Sequence, residues 1–70
     1  MCELTVYLIK KSERKKAMEG VIRLTSRDDQ VFLEGILGEN KTVQGKLVEV
    51  DIVAETANIV ADKEDDGLLI

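Results

Sequence analysis

The 70-residue sequence has no histidine, no proline, no tryptophan and a single cysteine. Each absence excludes something. Without histidine, the commonest metal ligand and the usual proton-transfer group at neutral pH are missing. One cysteine excludes a disulfide within the chain. It also cannot supply the roughly four Cys or His ligands that a structural zinc site needs. The lack of proline leaves strand edges without one of their usual guards against strand addition. Tyr7 and Phe32 are the only aromatic residues, so the core must be built from Val, Ile and Leu, which favours strands. No apolar run approaches the roughly 18–20 residues of a membrane span. No basic stretch followed by a long apolar one marks a secretion signal, and a thiol in a chain without such a signal points to the cytoplasm. There is no nucleophile elbow and no glycine-rich phosphate loop, nor any identifiable base for a cysteine nucleophile. The composition therefore favours a binding protein over an enzyme.

What is present fits one small domain. A chain of this length hides only about 60% of its unfolded surface and is marginal alone. Such domains rely on disulfides, metals or oligomerisation, and with no disulfide available, a second copy or a metal is expected. Apolar residues make up 44% of the chain, and its net charge is −4. The charge is uneven. Five of the ten cations lie in Lys10-Lys11-Ser12-Glu13-Arg14-Lys15-Lys16, and four of the fourteen acids lie in Asp62-Lys63-Glu64-Asp65-Asp66. A basic segment of this kind reads first as a solvated connecting loop, and second as a seat for an anion.

Five short strands and no helix are expected. The first covers Leu4 to Lys10, with Cys2, Leu4, Val6 and Leu8 on one face and Thr5, Tyr7 and Ile9 on the other. Both faces are largely apolar, as in a strand covered on two sides. After the basic loop, Ala17–Thr25 reads as the second strand, with Val21, Ile22 and Leu24 as core candidates and Gly20 at a bend or bulge. Ser26–Gln30 is a polar turn; Asp28 and Asp29 in it suit a turn better than a calcium loop, whose Asp-x-Asp-x-Asp-Gly pattern is absent. Val31–Leu37 is the third strand and Gly38-Glu39-Asn40 a tight connection. Thr42–Val53 is the fourth strand. There Val48, Val50 and Ile52 alternate with Glu49 and Asp51, the clearest half-buried pattern in the chain, while Val43, Gly45 and Leu47 sit on the opposite parity. A bulge near Gly45 or Lys46 would reconcile the two halves. Ala54–Ala57 turns back, and Asn58–Ala61 is the last strand. The fold class is thus all-β: a small SH3-like antiparallel barrel of about five strands over residues 1–61. Residues 62–70 form an acidic tail expected to fray, with Leu68, Leu69 and Ile70 able to dock on a groove or a neighbouring chain.

The one chemically distinctive residue is Cys2. With Met1 removed, the α-amine and the thiolate would close a five-membered N,S chelate. With Met1 retained, its amine, the deprotonated Cys2 amide and the thiolate would form fused rings. Either donor set suits Ni(II) or Cu(II). The plainer reading is a small buried residue at the start of a strand. Two copies of Cys2 would meet across the two-fold axis of a symmetric dimer.

The opening Met1-Cys2-Glu3-x-x-Val6-Tyr7-Leu8 is followed by Glu19-Gly20-Val21-Ile22-Arg23-Leu24, Val31-Phe32-Leu33, Ile36-Leu37-Gly38-Glu39 and Gly45-Lys46-Leu47-Val48-Glu49-Val50-Asp51. This order, over about Met1 to Val60, resembles the CooT family of small nickel-binding proteins. The resemblance implies an SH3-like homodimer linked to nickel insertion into carbon monoxide dehydrogenase. It also implies Cys2 as a nickel ligand at the subunit interface, one ion per dimer, in a metallochaperone or nickel store. The basic Lys10–Lys16 segment and the acidic tail have no counterpart in the resemblance, which leaves the client enzyme open. Two alternatives stand beside it. An RNA-binding small barrel is favoured by the lysines and opposed by the overall acidity and the scarcity of stacking aromatics. A hydrogenase-maturation chaperone of the HypC kind also starts Met-Cys, but Glu3-Leu4-Thr5 lacks that group's small-apolar, proline-containing continuation.

Overall fold

The computed structural model of the chain describes residues 3–61. Cys2 and the expected tail over 62–70 lie outside the described residues. Five strands follow one another: β1 (Leu4–Lys10), β2 (Glu13–Arg27), β3 (Gln30–Gly35), β4 (Asn40–Asp51) and β5 (Thr56–Ala61). Each pairs with its neighbours in sequence order, and β1 pairs with β5 to close a barrel. The all-β five-strand expectation holds, with one refinement. An up-and-down ring of five strands cannot be antiparallel throughout, and the closing β1–β5 pair is parallel, from Thr5↔Thr56 to Ile9↔Val60.

Two strands are much longer than the others because each serves two neighbours. β2 pairs with β1 up to Val21 and with β3 from there to Arg27. β4 pairs with β3 up to Gln44 and with β5 from Gly45 on. Serving two partners requires a bend, and bulges supply it. Between Leu4↔Val21 and Val6↔Met18, β2 carries an additional residue, and Gly20 there takes a φ of +67°. The bulge expected at Gly20 is therefore present. A further extra residue, Ala17, lies between Val6↔Met18 and Tyr7↔Lys16. Another, Ile22, lies between Val21↔Gly35 and Arg23↔Glu34. In β4 the extra residue is Val48, between Leu47↔Ile59 and Glu49↔Asn58.

These bulges decide what is buried. Val6, Val21, Val31, Leu33, Val43, Ala57 and Ile59 form the core, with Leu4, Leu8, Ala17, Met18, Leu24 and Leu47 packed against it. The core expectation is right for Val21 and, in part, for Leu24, and wrong for Ile22. As the extra residue of its bulge, Ile22 is 47% exposed. The Val48-Val50-Ile52 alternation is corrected for the same reason. The bulge at Val48, two or three positions later than expected, puts Val43, Gly45 and Leu47 inside and leaves Val48 56% exposed. Val50 and Ile52 are exposed as well.

The connections are tighter than the sequence suggested. The expected loop over Lys10–Lys16 contracts to Lys11 and Ser12, both at positive φ. That is the backbone that matches the twist of a two-residue hairpin. Glu13 to Lys16 belong to β2, and the Arg14 guanidinium lies 3.9 Å from the centre of the Tyr7 ring. Arg14 Nε also donates to Asn58 Oδ1 (3.3 Å), and Asn58 Nδ2 donates to Glu49 Oε1 (2.9 Å). A polar ladder thus crosses the outside of β2, β1, β5 and β4. Ile36 and Leu37, expected to finish the third strand, form its turn instead. Gly35 N–H donates to Glu39 O (2.8 Å), Gly38 N–H to Gly35 O (3.0 Å) and Leu37 N–H to Glu39 Oε1 (3.0 Å).

Candidate functional site

The barrel has two unlike ends. At the first, the chain enters. Leu4 pairs with Val21, which in turn pairs with Gly35, so the β2 bulge and the β3–β4 turn flank the start of β1 on one side. Ile36 N–H donates to Gly20 O (2.8 Å), closing that side. On the other side Thr5 N–H donates to Glu55 O (3.0 Å), which ties the start of β1 to the β4–β5 turn. Both flanks carry exposed apolar side chains. Ile22, Ile36 and Leu37 lie on the first, and Ile52 and Val53, the latter 95% exposed, lie on the second. Exposed apolar side chains favour burial against another surface.

The second end lies past the C-terminal residues of β1 and β5. There the β1–β2 hairpin continues beyond the closed ring and overhangs the start of β4. The result is a cleft of about 430 Å³. Its floor is Leu8, Ala17, Val43 and Ala61, and its exposed mouth carries Lys10, Lys15 and Lys41; Lys16 borders it too, but pairs with Tyr7 on the outer face of the hairpin. The bulge at Ala17 frees a carbonyl, and Lys41 Nζ donates to it across the barrel (3.0 Å). Lys16 Nζ lies 3.2 Å from Glu19 Oε2. Among the described residues, Lys16 is the one lysine of these four with a carboxylate partner.

Gly45 holds this end shut. A Cβ there would collide with Val60 O and stand 2.8 Å from Ile59 Cγ2, so only glycine lets β4 and β5 approach so closely. Its N–H donates to Asp29 O (2.8 Å), which binds the β2–β3 turn to the same corner. Asp28, at φ 55°, and Asp29 are turn residues, as their sequence suggested.

Cys2, the one metal-ligand candidate of the sequence, lies outside the described residues. Among the described residues no three Cys, Asp or Glu side chains converge as a metal would require. The lysine cleft is a feature that the sequence reading missed. The alternation reads Lys15 as part of a loop, whereas the register pairs Leu8 with Lys15 on one face. Locating the two-residue turn at Lys11-Ser12 would have revealed it.

No helix among the described residues is long and apolar enough to cross a membrane. No curated protein matches the chain. Among solved structures, a candidate CooT from Carboxydothermus hydrogenoformans superposes with a TM-score of 0.78 at 20% identity, covering 87% of this chain and 98% of that one. At that identity the likeness is one of fold. The family model for the CO dehydrogenase accessory protein CooT matches residues 1–60. A match over that much of a 70-residue chain is decisive: the chain belongs to the CooT family.

Proposed function

We propose that this chain is a nickel-binding homodimer that serves as metallochaperone or nickel store in the maturation of a carbon monoxide dehydrogenase-like enzyme. The observation that carries this reading is the family match over residues 1–60, which takes in the sole cysteine of a histidine-free chain. Nickel is the cargo. Cys2 thiolates, one from each copy, would hold it with backbone nitrogens as co-ligands, since thiolate and nitrogen donors suit Ni(II). The apolar end of the barrel supports the dimer. Strand β1 starts there two residues after Cys2, and its flanks carry Ile22, Ile36, Leu37, Ile52 and Val53. A site shared between copies would release its ion by ligand exchange, and its affinity would fall as the thiolates are protonated. The family is one of accessory proteins, in keeping with a binding role rather than a catalytic one. A cytoplasmic location fits delivery to an enzyme by a chain that keeps a lone thiol reduced.

Native mass spectrometry during a Ni(II) titration tests this. The expected result is one ion per two chains, with thiolate-to-nickel charge-transfer absorption, and loss of both in Cys2→Ser. Equal nickel binding by Cys2→Ser, or binding to single chains only, would sink the reading.

A further inference from the structure

The lysine cleft is unused by a nickel site built on Cys2, which precedes the opposite end of β1. Its chemistry is specific: Lys10, Lys15 and Lys41 beside an apolar floor. The matching ligand is an acidic segment that also carries apolar side chains. No aromatic residue lines the cleft, so it lacks the stacking platform that single-stranded nucleic acid uses. Ala61, the last residue of β5, is part of the floor. The residues that follow it are Asp62-Lys63-Glu64-Asp65-Asp66-Gly67-Leu68-Leu69-Ile70. They hold four acids and one lysine, then a glycine, then three large apolar residues.

We infer that the cleft is a receptor for an acidic, apolar-ended peptide segment, and that its resident occupant is this chain's own segment Asp62–Ile70. Three arguments converge. The signs are complementary: four carboxylates and one lysine leave the segment net negative, against Lys10, Lys15 and Lys41, none of which has a carboxylate partner among the described residues. The reach is ample, because nine residues extend up to roughly 30 Å and the segment begins at the cleft itself. Tethering gives such a segment an effective concentration on the order of millimolar, well above that of any free competitor. Composition alone suggested fraying, because dense acids cannot pack against one another. The cleft supplies the countercharge that composition could not reveal. An acidic partner seeking this end of the barrel would have to displace the segment.

Zero-length carbodiimide coupling on the full-length protein tests the inference, using an equimolar mixture of ¹⁴N- and ¹⁵N-labelled chains. Amide links are expected from Asp62, Glu64, Asp65 or Asp66 to Lys10, Lys15 or Lys41, within single chains. Their yield should fall several-fold at about 1 M salt, where the screening length is about 3 Å. The Lys16–Glu19 link is the internal reference, its groups being 3.2 Å apart. If that link forms and the others do not, the inference is overturned. If the others join only ¹⁴N to ¹⁵N chains, a second copy is the occupant and the inference is likewise overturned. A second measurement uses the full-length variant D62N/E64Q/D65N/D66N. Amine acetylation of Lys10 and Lys15 should rise about three-fold or more as the tethered countercharge is lost, with Lys46 on the outer face of β4 unchanged. Equal labelling of variant and parent would overturn it. Cys2→Ser should leave both readouts as they are, so failure here is separable from failure of the nickel reading.

Discussion

The two ends of this barrel are finished by different means. Where β1 begins, the surface is apolar and the backbone is open. Gly38 stands at φ +90° with nothing within 4 Å of where a Cβ would lie, and Leu37 beside it is 86% exposed. Where β5 stops, the surface is cationic and the backbone is crowded around Gly45. The first end leaves apolar groups in water, and their burial would be favoured by roughly 25 cal/mol per Å². The second is sealed by its own strands and offers charge instead. A small domain with marginal stability thus separates its apolar face from the corner that holds the ring together.

The sharpest contrast is between the two glycines. Gly45→Ala drives a methyl group into the Val60 carbonyl, and backbone must move. A loss of about 3 kcal/mol is expected, a large part of the roughly 4–10 kcal/mol available to a domain of this size. Gly38→Ala meets no atom and carries only the strain of a positive φ, about 1 kcal/mol. Urea unfolding of both variants measures the difference. Equal losses would mean that the two ends are equally packed, and the contrast would fail.

The next test concerns association. Ile52→Ser with Val53→Ser removes two exposed apolar side chains from the β4–β5 turn. Folding stability per chain should change by less than about 0.5 kcal/mol, as for surface sites. Self-association should weaken by roughly 30-fold or more if both side chains are buried in a dimer, each contributing on the order of 1 kcal/mol. Sedimentation equilibrium reads this directly, with Lys10→Ser/Lys15→Ser at the other end as the control that should leave association unchanged. A parent protein that sediments as a monomer would remove the reason for an apolar end.

Much of the fold was legible in the sequence. The strand count, the boundaries of β1, the Gly20 bulge and the need for a bulge in β4 all follow from alternation and glycine placement. What alternation could not give is the position of an extra residue. Ile22 and Val48 look like core residues because parity is counted through them, yet each is the unpaired residue of a bulge, and the count restarts after it. The parallel β1–β5 pair was hidden because ring closure is a property of the whole chain. The cleft was hidden because Lys11-Ser12 is not a usual hairpin turn, and the lysines around it looked like a loop. The candidate metal ligand was the reverse case. Cys2 stands out only in the sequence, as the sole thiol of a chain without histidine.

The smallest effect tests how finished the cationic end is. Lys16 and Glu19 form an ion pair on β2 beside the cleft, with side chains 51% and 69% exposed. A pair so exposed contributes little, because water and salt screen it and two long side chains must be held still. Glu19→Gln should therefore change unfolding stability by less than about 0.5 kcal/mol, a melting shift of no more than about 4 °C for a domain this small. The carboxylate is then a local counterweight to one lysine and not a brace for the hairpin. A loss well above 1 kcal/mol would reverse that. It would mean that the overhanging hairpin depends on this pair, and that the end of the barrel sealed by Gly45 is not self-sufficient.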